Sequence, residues 1–407
     1  MKSKCIIIGF LLSFSFFTPL LYAEEIQVSV MFEPKQRRAF SIVFQDFFNE
    51  TGIKIRTIPR TDAAYKRDLS VWLLEGKQTP DVLYWQASQR LFFYAKKGVL
   101  HPITQLWNEN NFDQYFSHVK SGVTYNDEVY AVPTSYYHWG IFYKKSLIER
   151  FGGVQHTWES FIDQCKQLKD AGVTPIGIGT KEGWPAAAWF DYIDLRTNGL
   201  EFHQQLLAGS ISFHDQRVQN ILVEWKRLID QGFFNENSKK YTWHALLPEF
   251  YRNRIAFFLI GNFATSKWPQ LIVEDIGFMP FPKMKDIPLY EDAPMDVFMI
   301  PKNTKKLKEA EMFLKFMARA DVQSQLNKEL GFLPPNKDGV VGEDPFIQAG
   351  AKLLQKAKGV SQFFDRDTIP EFDKKAVPIL AEFLNSGDLE NASNRLEKAR
   401  IEVFGVE

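Results

Sequence analysis

The sequence predicts an α/β fold in two lobes, and three observations lead there. The first is alternation of periods. Ile26, Val28, Val30 and Phe32 alternate with polar residues, which is a strand period, and a 3.6-residue apolar pattern follows at Phe40, Val43, Phe44, Phe47 and Phe48. Thr51-Gly52 stops that helix, Ile53 to Ile58 resumes an extended pattern, a second helix covers Asp62 to Leu74, and Asp81 to Trp85 is a short apolar strand after Thr79-Pro80. This β-α-β-α-β order implies a largely parallel sheet covered by helices, with functional loops at the carboxyl ends of the strands. The second observation is length: 407 residues exceed the size at which one core keeps growing. The third is the lack of any internal repeat, low-complexity linker or charge block, so the lobes should be joined by several short crossings rather than one flexible tether.

The N-terminus reads as a signal peptide over residues 1–23. Lys2 and Lys4 precede an apolar run from Ile6 to Leu21 that ends at Leu21-Tyr22-Ala23, just before Glu24 and Glu25. The run is marginal for a permanent span, and Cys5 precedes it rather than marking the cleavage point, which argues against a lipid-modified cysteine. The expected location is the periplasm of a Gram-negative cell. Removing the leader leaves Cys165 as the lone cysteine, so the fold must hold without a disulfide. Lysine plus arginine equals aspartate plus glutamate at 49 each, which gives no basic field for nucleic acid or anionic lipid. A neutral or weakly charged ligand fits better. Aromatic residues make up 15%, with ten Trp and thirty-seven Phe, and some of those rings are expected to face a ligand.

Later helices are legible too. Val218, Ile221, Leu222, Trp225, Leu228 and Ile229 form an apolar stripe ended by Gly232, and another helix runs from about Lys306 to Ala318. Cys165, in a helix beginning at Trp158, is read as a small buried hydrophobe. The chain has no GxxxxGK[ST] loop, HExxH, CxxC or GxSxG. His138, His156, His203, His214 and His244 lack zinc-ligand spacing and are read as surface or hydrogen-bonded residues. Nothing in the pattern demands catalysis, a metal or a cofactor.

A series of segments carries a family resemblance. It begins at Thr79-Pro80-Asp81-Val82-Leu83-Tyr84-Trp85 and Tyr94-Ala95-Lys96-Lys97-Gly98-Val99-Leu100, and runs through Tyr130-Ala131-Val132-Pro133 to Phe142-Tyr143-Lys144-Lys145. It continues at Thr157-Trp158-Glu159-Ser160-Phe161, Gly277-Phe278-Met279-Pro280-Phe281-Pro282, Ile300-Pro301-Lys302 and Gly331-Phe332-Leu333-Pro334-Pro335-Asn336. In order and spacing these resemble the extracellular solute-binding proteins of ABC importers, specifically the maltose-binding-like carbohydrate group. One departure is Gly261-Asn262-Phe263, where relatives often carry Gly-x-Trp.

The resemblance implies a type II periplasmic binding-protein fold, each lobe a mixed sheet flanked by helices, with the ligand cleft at the hinge. Lobe one is expected at 24–135 plus 290–340 and lobe two at 136–289 plus 341–407. It further implies a monomer without cofactor that closes on a carbohydrate, expected to be an oligosaccharide, and presents it to the permease subunits of the importer. Sugar rings pack on indole or phenol rings while their hydroxyls need fixed polar partners. On that basis Trp85 and Trp184 are the expected stacking platforms on opposite lobes, with Trp189 in the core. Gln86 and Arg90 follow Trp85 and are placed to hold hydroxyls. Arg60 and Tyr65 follow the second strand, and Asn262 occupies the second lobe's ligand loop. Strand alternation is taken to put only one of Tyr137 and Trp139 in the cleft, and Tyr137 is preferred. Asp296 and the turn Asp365-Arg366-Asp367 complete the site. Two other readings share these features, one in a different class and one within the binding class. A polysaccharide-degrading enzyme would need a working carboxylate pair. A binding protein for a glycerol phosphate ester or another polar solute would turn Arg60, Arg90 and Arg366 together into the cleft.

Overall fold

The structure is a computed structural model that describes residues 24–31 and 34–405. The leader, residues 1–23, and Phe32 lie outside the described residues.

Strand β1 (Glu25–Met31) buries Ile26, Val28 and Val30 completely, as their alternation requires. Helix α1 (Pro34–Thr51) covers it with Phe40, Val43, Phe44 and Phe47, each worth about 1.5–3 kcal/mol of burial. Thr51 Oγ1 donates to the Phe47 carbonyl, and Gly52, at φ +72°, turns the chain out of the helix. Strand β2 (Lys54–Arg60) pairs parallel with β1 and lies at the sheet edge, the one place where Pro59 costs no ladder bond. Helix α2 (Asp62–Leu74) leads to β3 (Val82–Gln86), whose five residues are all buried, and helix α3 (Gln89–Lys96) follows. The Gln27 amide donates to Asp81 Oδ2 just ahead of β3, pinning the loop that aims this strand.

The expected parallel sheet is only half parallel. Its order is β2, β1, β3, then Met295–Met299, then Ala131–Tyr136, and the last two strands join antiparallel. The second sheet runs Ile276–Met279, Trp139–Lys144, Ile255–Gly261, Thr174–Ile176, antiparallel except for its last pair. Both sheets are therefore mixed, as the family resemblance implied. Helix Gln216–Asp230 buries the stripe read from sequence, and Cys165 is fully buried in helix Trp158–Asp170. Among the described residues no helix is long and apolar enough to cross a membrane.

The chain passes between the sheets three times. Strand Ala131–Tyr136 runs into Trp139–Lys144, the segment after Ile276–Met279 returns to Met295–Met299, and the path from helix Ala320–Leu330 leads to helix Pro345–Lys356. That last helix sets Phe346 against Phe142 and Trp268 of the second lobe, while Ala320–Leu330 packs on α1. One histidine departs from expectation. His138, at the first crossing, is buried with both ring nitrogens unpartnered, its ring edge-on to Phe278, and burial pushes its pKa down to about 3. It is not a surface residue, and its ring takes no hydrogen bond. His203 does hydrogen-bond, to Asp194 at 2.9 Å.

Candidate functional site at the seam between the lobes

One short turn of the second lobe touches the first lobe with three consecutive side chains. The turn is the single helical turn Phe364–Asp367, anchored from its own lobe by Asp191, which accepts the Phe364 amide at 2.7 Å. Asp365 receives Arg90, whose Nη2 donates to its Oδ2 at 3.1 Å and whose Nε donates to its carbonyl at 2.5 Å. Arg366 donates through Nη1 to Asp296 Oδ1 at 3.0 Å and through Nη2 to the Tyr137 hydroxyl at 2.8 Å. Asp367 accepts from Ser88 Oγ at 2.6 Å. Arg90 also reaches Asp373 Oδ2 at 2.7 Å, in the next helix. Opposite charges from both lobes thus meet where neither is solvated, and each is paired as buried charge requires.

Asp296 links two of these groups. Its Oδ2 accepts the Tyr84 hydroxyl at 2.5 Å. Burial pushes its carboxyl above the usual range, and the Arg366 guanidinium opposes that shift. Gln86 stands directly across the ladder from Asp296, so their side chains share one sheet face. Asp373 is raised to about 6, first by burial and then by the neighbouring Asp365, against the pull of Arg90.

Above this polar layer is a wall of rings. Trp139 stacks on Phe363 at 4.6 Å, and Trp184 meets Trp139 edge-on at 5.9 Å. Phe263 presents its edge or face to Tyr137 at 5.6 Å, to Trp139 at 5.9 Å and to Trp184 at 6.1 Å. Phe363 sits at φ +83° and Ser88 at φ +61°, a region that costs a non-glycine residue about 1–3 kcal/mol. Both strained residues flank the same turn. Gln86 Oε1, Trp139 Nε1 and Asn262 Oδ1 are buried with no hydrogen-bond partner, a costly state for groups that a ligand's hydroxyls could satisfy. A cavity of about 490 Å³ opens beside the seam, lined by Ser88, Gln89 and His118 on one side and Gln204, Gln205 and Asp367 on the other.

The sequence-predicted residues divide accordingly. Arg90, Tyr137, Asp296, Asp365 and Arg366 are brought together, with Gln86 beside them. Trp184 caps helix Pro185–Thr197 and is half-buried in the ring wall, while Trp189 is core. Asn262 is a floor residue: its amide donates to the His138 carbonyl at 3.0 Å and its Nδ2 to the Gly331 carbonyl at 2.7 Å. Three positions lie elsewhere. Trp85 is 3% exposed, stacked on Tyr65 at 5.8 Å, with its Nε1 donating to the Arg90 carbonyl. Tyr65 is fully buried, its hydroxyl shared between Ser29 Oγ and the Tyr84 carbonyl. Arg60 pairs with Asp68 at 2.6 Å over the Trp72 ring. Trp85 and Tyr65 belong to the first lobe's core because strand alternation sends residue 85 to the face opposite Tyr84 and Gln86. Tyr137 lies just past the end of strand Ala131–Tyr136 and Trp139 opens the next strand, so strand alternation does not relate the two, and both rings touch Phe263.

Sequence reasoning missed Tyr84, Ser88, Phe263, Phe363 and Asp373. Tyr84 was within reach, since it is two residues from Gln86 on one strand face. Ser88 lies in the loop after β3, where functional loops were expected. Phe363 and Asp373 carry no local signal.

Two mixed α/β lobes joined by three crossings, with paired charges and rings at their seam, define a two-lobed solute-binding protein. The chain belongs to the bacterial extracellular solute-binding proteins, whose family model matches residues 33–324. It is 24% identical over 381 residues, 89% of this chain and 84% of the relative, to an uncharacterized ABC transporter extracellular-binding protein of Pyrococcus horikoshii. It is 27% identical over 293 residues, 68% of this chain and 67% of the relative, to a multiple sugar-binding protein of Streptococcus mutans. The crystal structure of the bacterial solute receptor AcbH, described as having an exclusive preference for β-D-galactopyranose, superposes with a TM-score of 0.86 at 23% identity, covering 94% of this chain and 99% of that one. A chitin oligosaccharide binding protein gives a TM-score of 0.82 at 19% identity, covering 93% and 98%. These structural likenesses carry the fold.

Proposed function

We propose that this protein captures a carbohydrate between its two lobes and delivers it to the membrane permease of an ABC importer, acting as a monomer in the periplasm after loss of residues 1–23. The observation that carries the reading is the seam: rings for a sugar's apolar face, with Gln86, Trp139 and Asn262 offering buried polar atoms for its hydroxyls. The named relatives that bind sugars support it. The protein would bind without turnover. Lobe one would comprise residues 24–135 with a return near 293–340, because Tyr290–Asp292 pairs with Gly359–Ser361 beside helix Pro185–Thr197 rather than with the first sheet.

A phosphate ester ligand is disfavoured because Arg60, Arg90 and Arg366 are each committed to carboxylates. A ligand phosphate would have to displace them. The test is thermal shift against mono- and oligosaccharides. A sugar present at about 100 times its dissociation constant adds about 2.7 kcal/mol to the folded state and raises Tm. If no sugar moves Tm while a phosphate ester or polyamine does, the carbohydrate reading fails.

A further inference from the structure

A second cavity, of about 510 Å³, lies on the second lobe away from the seam. One wall is the end of strand Ile276–Met279 with the loop after it, and the other is helix Pro345–Lys356. None of its lining residues takes part in the Asp296–Arg366–Tyr137 network. On the helix the lining positions are Ala349, Lys352, Leu353 and Lys356, spaced i, i+3, i+4 and i+7, so one helical face is turned toward the cavity. Phe278, Phe281, Ile287 and Leu289 supply the opposite apolar surface.

The charged lining is all of one sign. No aspartate or glutamate lines the cavity, although the whole chain is balanced. Arg196 is spent on buried Glu291, and Lys283 pairs with Asp286 on the rim. Lys285, Lys352 and Lys356 have no carboxylate partner among the described residues and are exposed at their tips. Lys352 and Lys356 stand four apart on one helix, where like charges repel. An apolar floor rimmed by uncompensated cations is complementary to a molecule with an apolar body and an anionic head. The volume falls in the range of small-molecule sites, which are likewise mostly apolar with a few convergent polar groups.

We propose that this cavity is a binding site for an amphipathic organic anion, its acidic head among Lys285, Lys352 and Lys356 and its apolar body against Phe278 and Leu353. The site is independent of the carbohydrate reading. The probe is decanoate below its micellar concentration, followed by isothermal titration on the full mature chain. One saturable site is expected, weakened at least tenfold in the Lys352→Glu/Lys356→Glu double variant, whose positions are exposed and whose Tm and sugar response should be those of the parent. Ala349→Trp, which fills the groove, should abolish binding, and neutral 1-decanol should bind at least tenfold more weakly than decanoate. The proposal is overturned by non-saturable uptake, by equal affinity in the double variant, or by decanol binding as tightly as decanoate. Binding of an acidic, leucine-containing peptide in place of decanoate, lost in the same double variant, would assign the groove to a protein partner and also overturn it.

Discussion

Arg366 is buried against the Asp296 carboxylate, so truncating it leaves that buried acid without its cation and held only by the Tyr84 hydroxyl. Arg366→Ala is expected to lower stability by about 3–5 kcal/mol in urea unfolding, whereas Arg366→Met combined with Asp296→Asn should recover most of that, because the charge and its partner leave together. A single variant as stable as the parent would show that the pair is already open in solution. The two tryptophans first expected to flank a ligand should now behave differently. Trp85→Ala removes a ring packed between Tyr65 and Tyr94, and the unliganded protein should lose about 3–5 kcal/mol. Trp184→Ala, at a half-buried cap, should leave the unliganded Tm within a few degrees and weaken sugar binding about tenfold or more. The reverse pattern would return Trp85 to the site. Asp373 gives a pH signature. Its folded value of about 6 lies above the ordinary 3.8, so the folded form holds a proton that the unfolded chain releases. Its contribution is full below the ordinary value and is lost as pH rises through 6. In Asp373→Asn that loss is absent, so the Tm difference between variant and parent should move in the variant's favour from pH 4 to pH 7; a constant difference would refute the assignment.

At the scale of elements, helix Pro345–Lys356 sits so close to the first crossing that a Cβ on Gly350 would overlap the His138 ring. Two effects compete there. Alanine in a helix interior gains about 1 kcal/mol over glycine, while overpacking costs about 1–3 kcal/mol. Gly350→Ala should therefore destabilise the parent, yet stabilise a His138→Ala background where the ring is gone. A double-mutant cycle reads the inversion, and additive effects would mean the helix is free to shift. Contacts of this kind mark the limit of what the sequence discloses. Helix α1 and helix Gln216–Asp230 were legible because a stripe of apolar residues has a period. The direction of the strands Met295–Met299 and Ala131–Tyr136 was not, because an apolar run of five or six residues carries no record of its neighbour. In the site, Arg366 and Asp296 could be named separately, but the ladder of Arg90, Asp296 and Ser88 onto three successive residues depends on pairings more than 60 positions apart. The choice between Tyr137 and Trp139 was not legible either, because the two residues flank a break between strands where no period holds.

For the molecule as a whole, the grip of Phe364–Asp367 on the first lobe ties the two lobes together at the seam, and closure is an equilibrium that a ligand can shift only through contacts better made in one state. Arg90→Ala removes the ties to Asp365 and Asp373 together. The unliganded variant should show a larger radius of gyration in small-angle scattering, and if its closed fraction falls tenfold its apparent sugar affinity should fall tenfold with it. An unchanged scattering curve would place the control of closure elsewhere. The interleaving of the two sheets has one more consequence, in time rather than in space. In the first sheet β3 and Ala131–Tyr136 are not neighbours, and the strand that joins them is Met295–Met299. All four strands of the second sheet, from Trp139 to Met279, are synthesised before that strand. Of the two sheets, the one that begins first is therefore completed last, and until residue 299 has left the ribosome the growing chain holds a gap in the middle of its leading sheet.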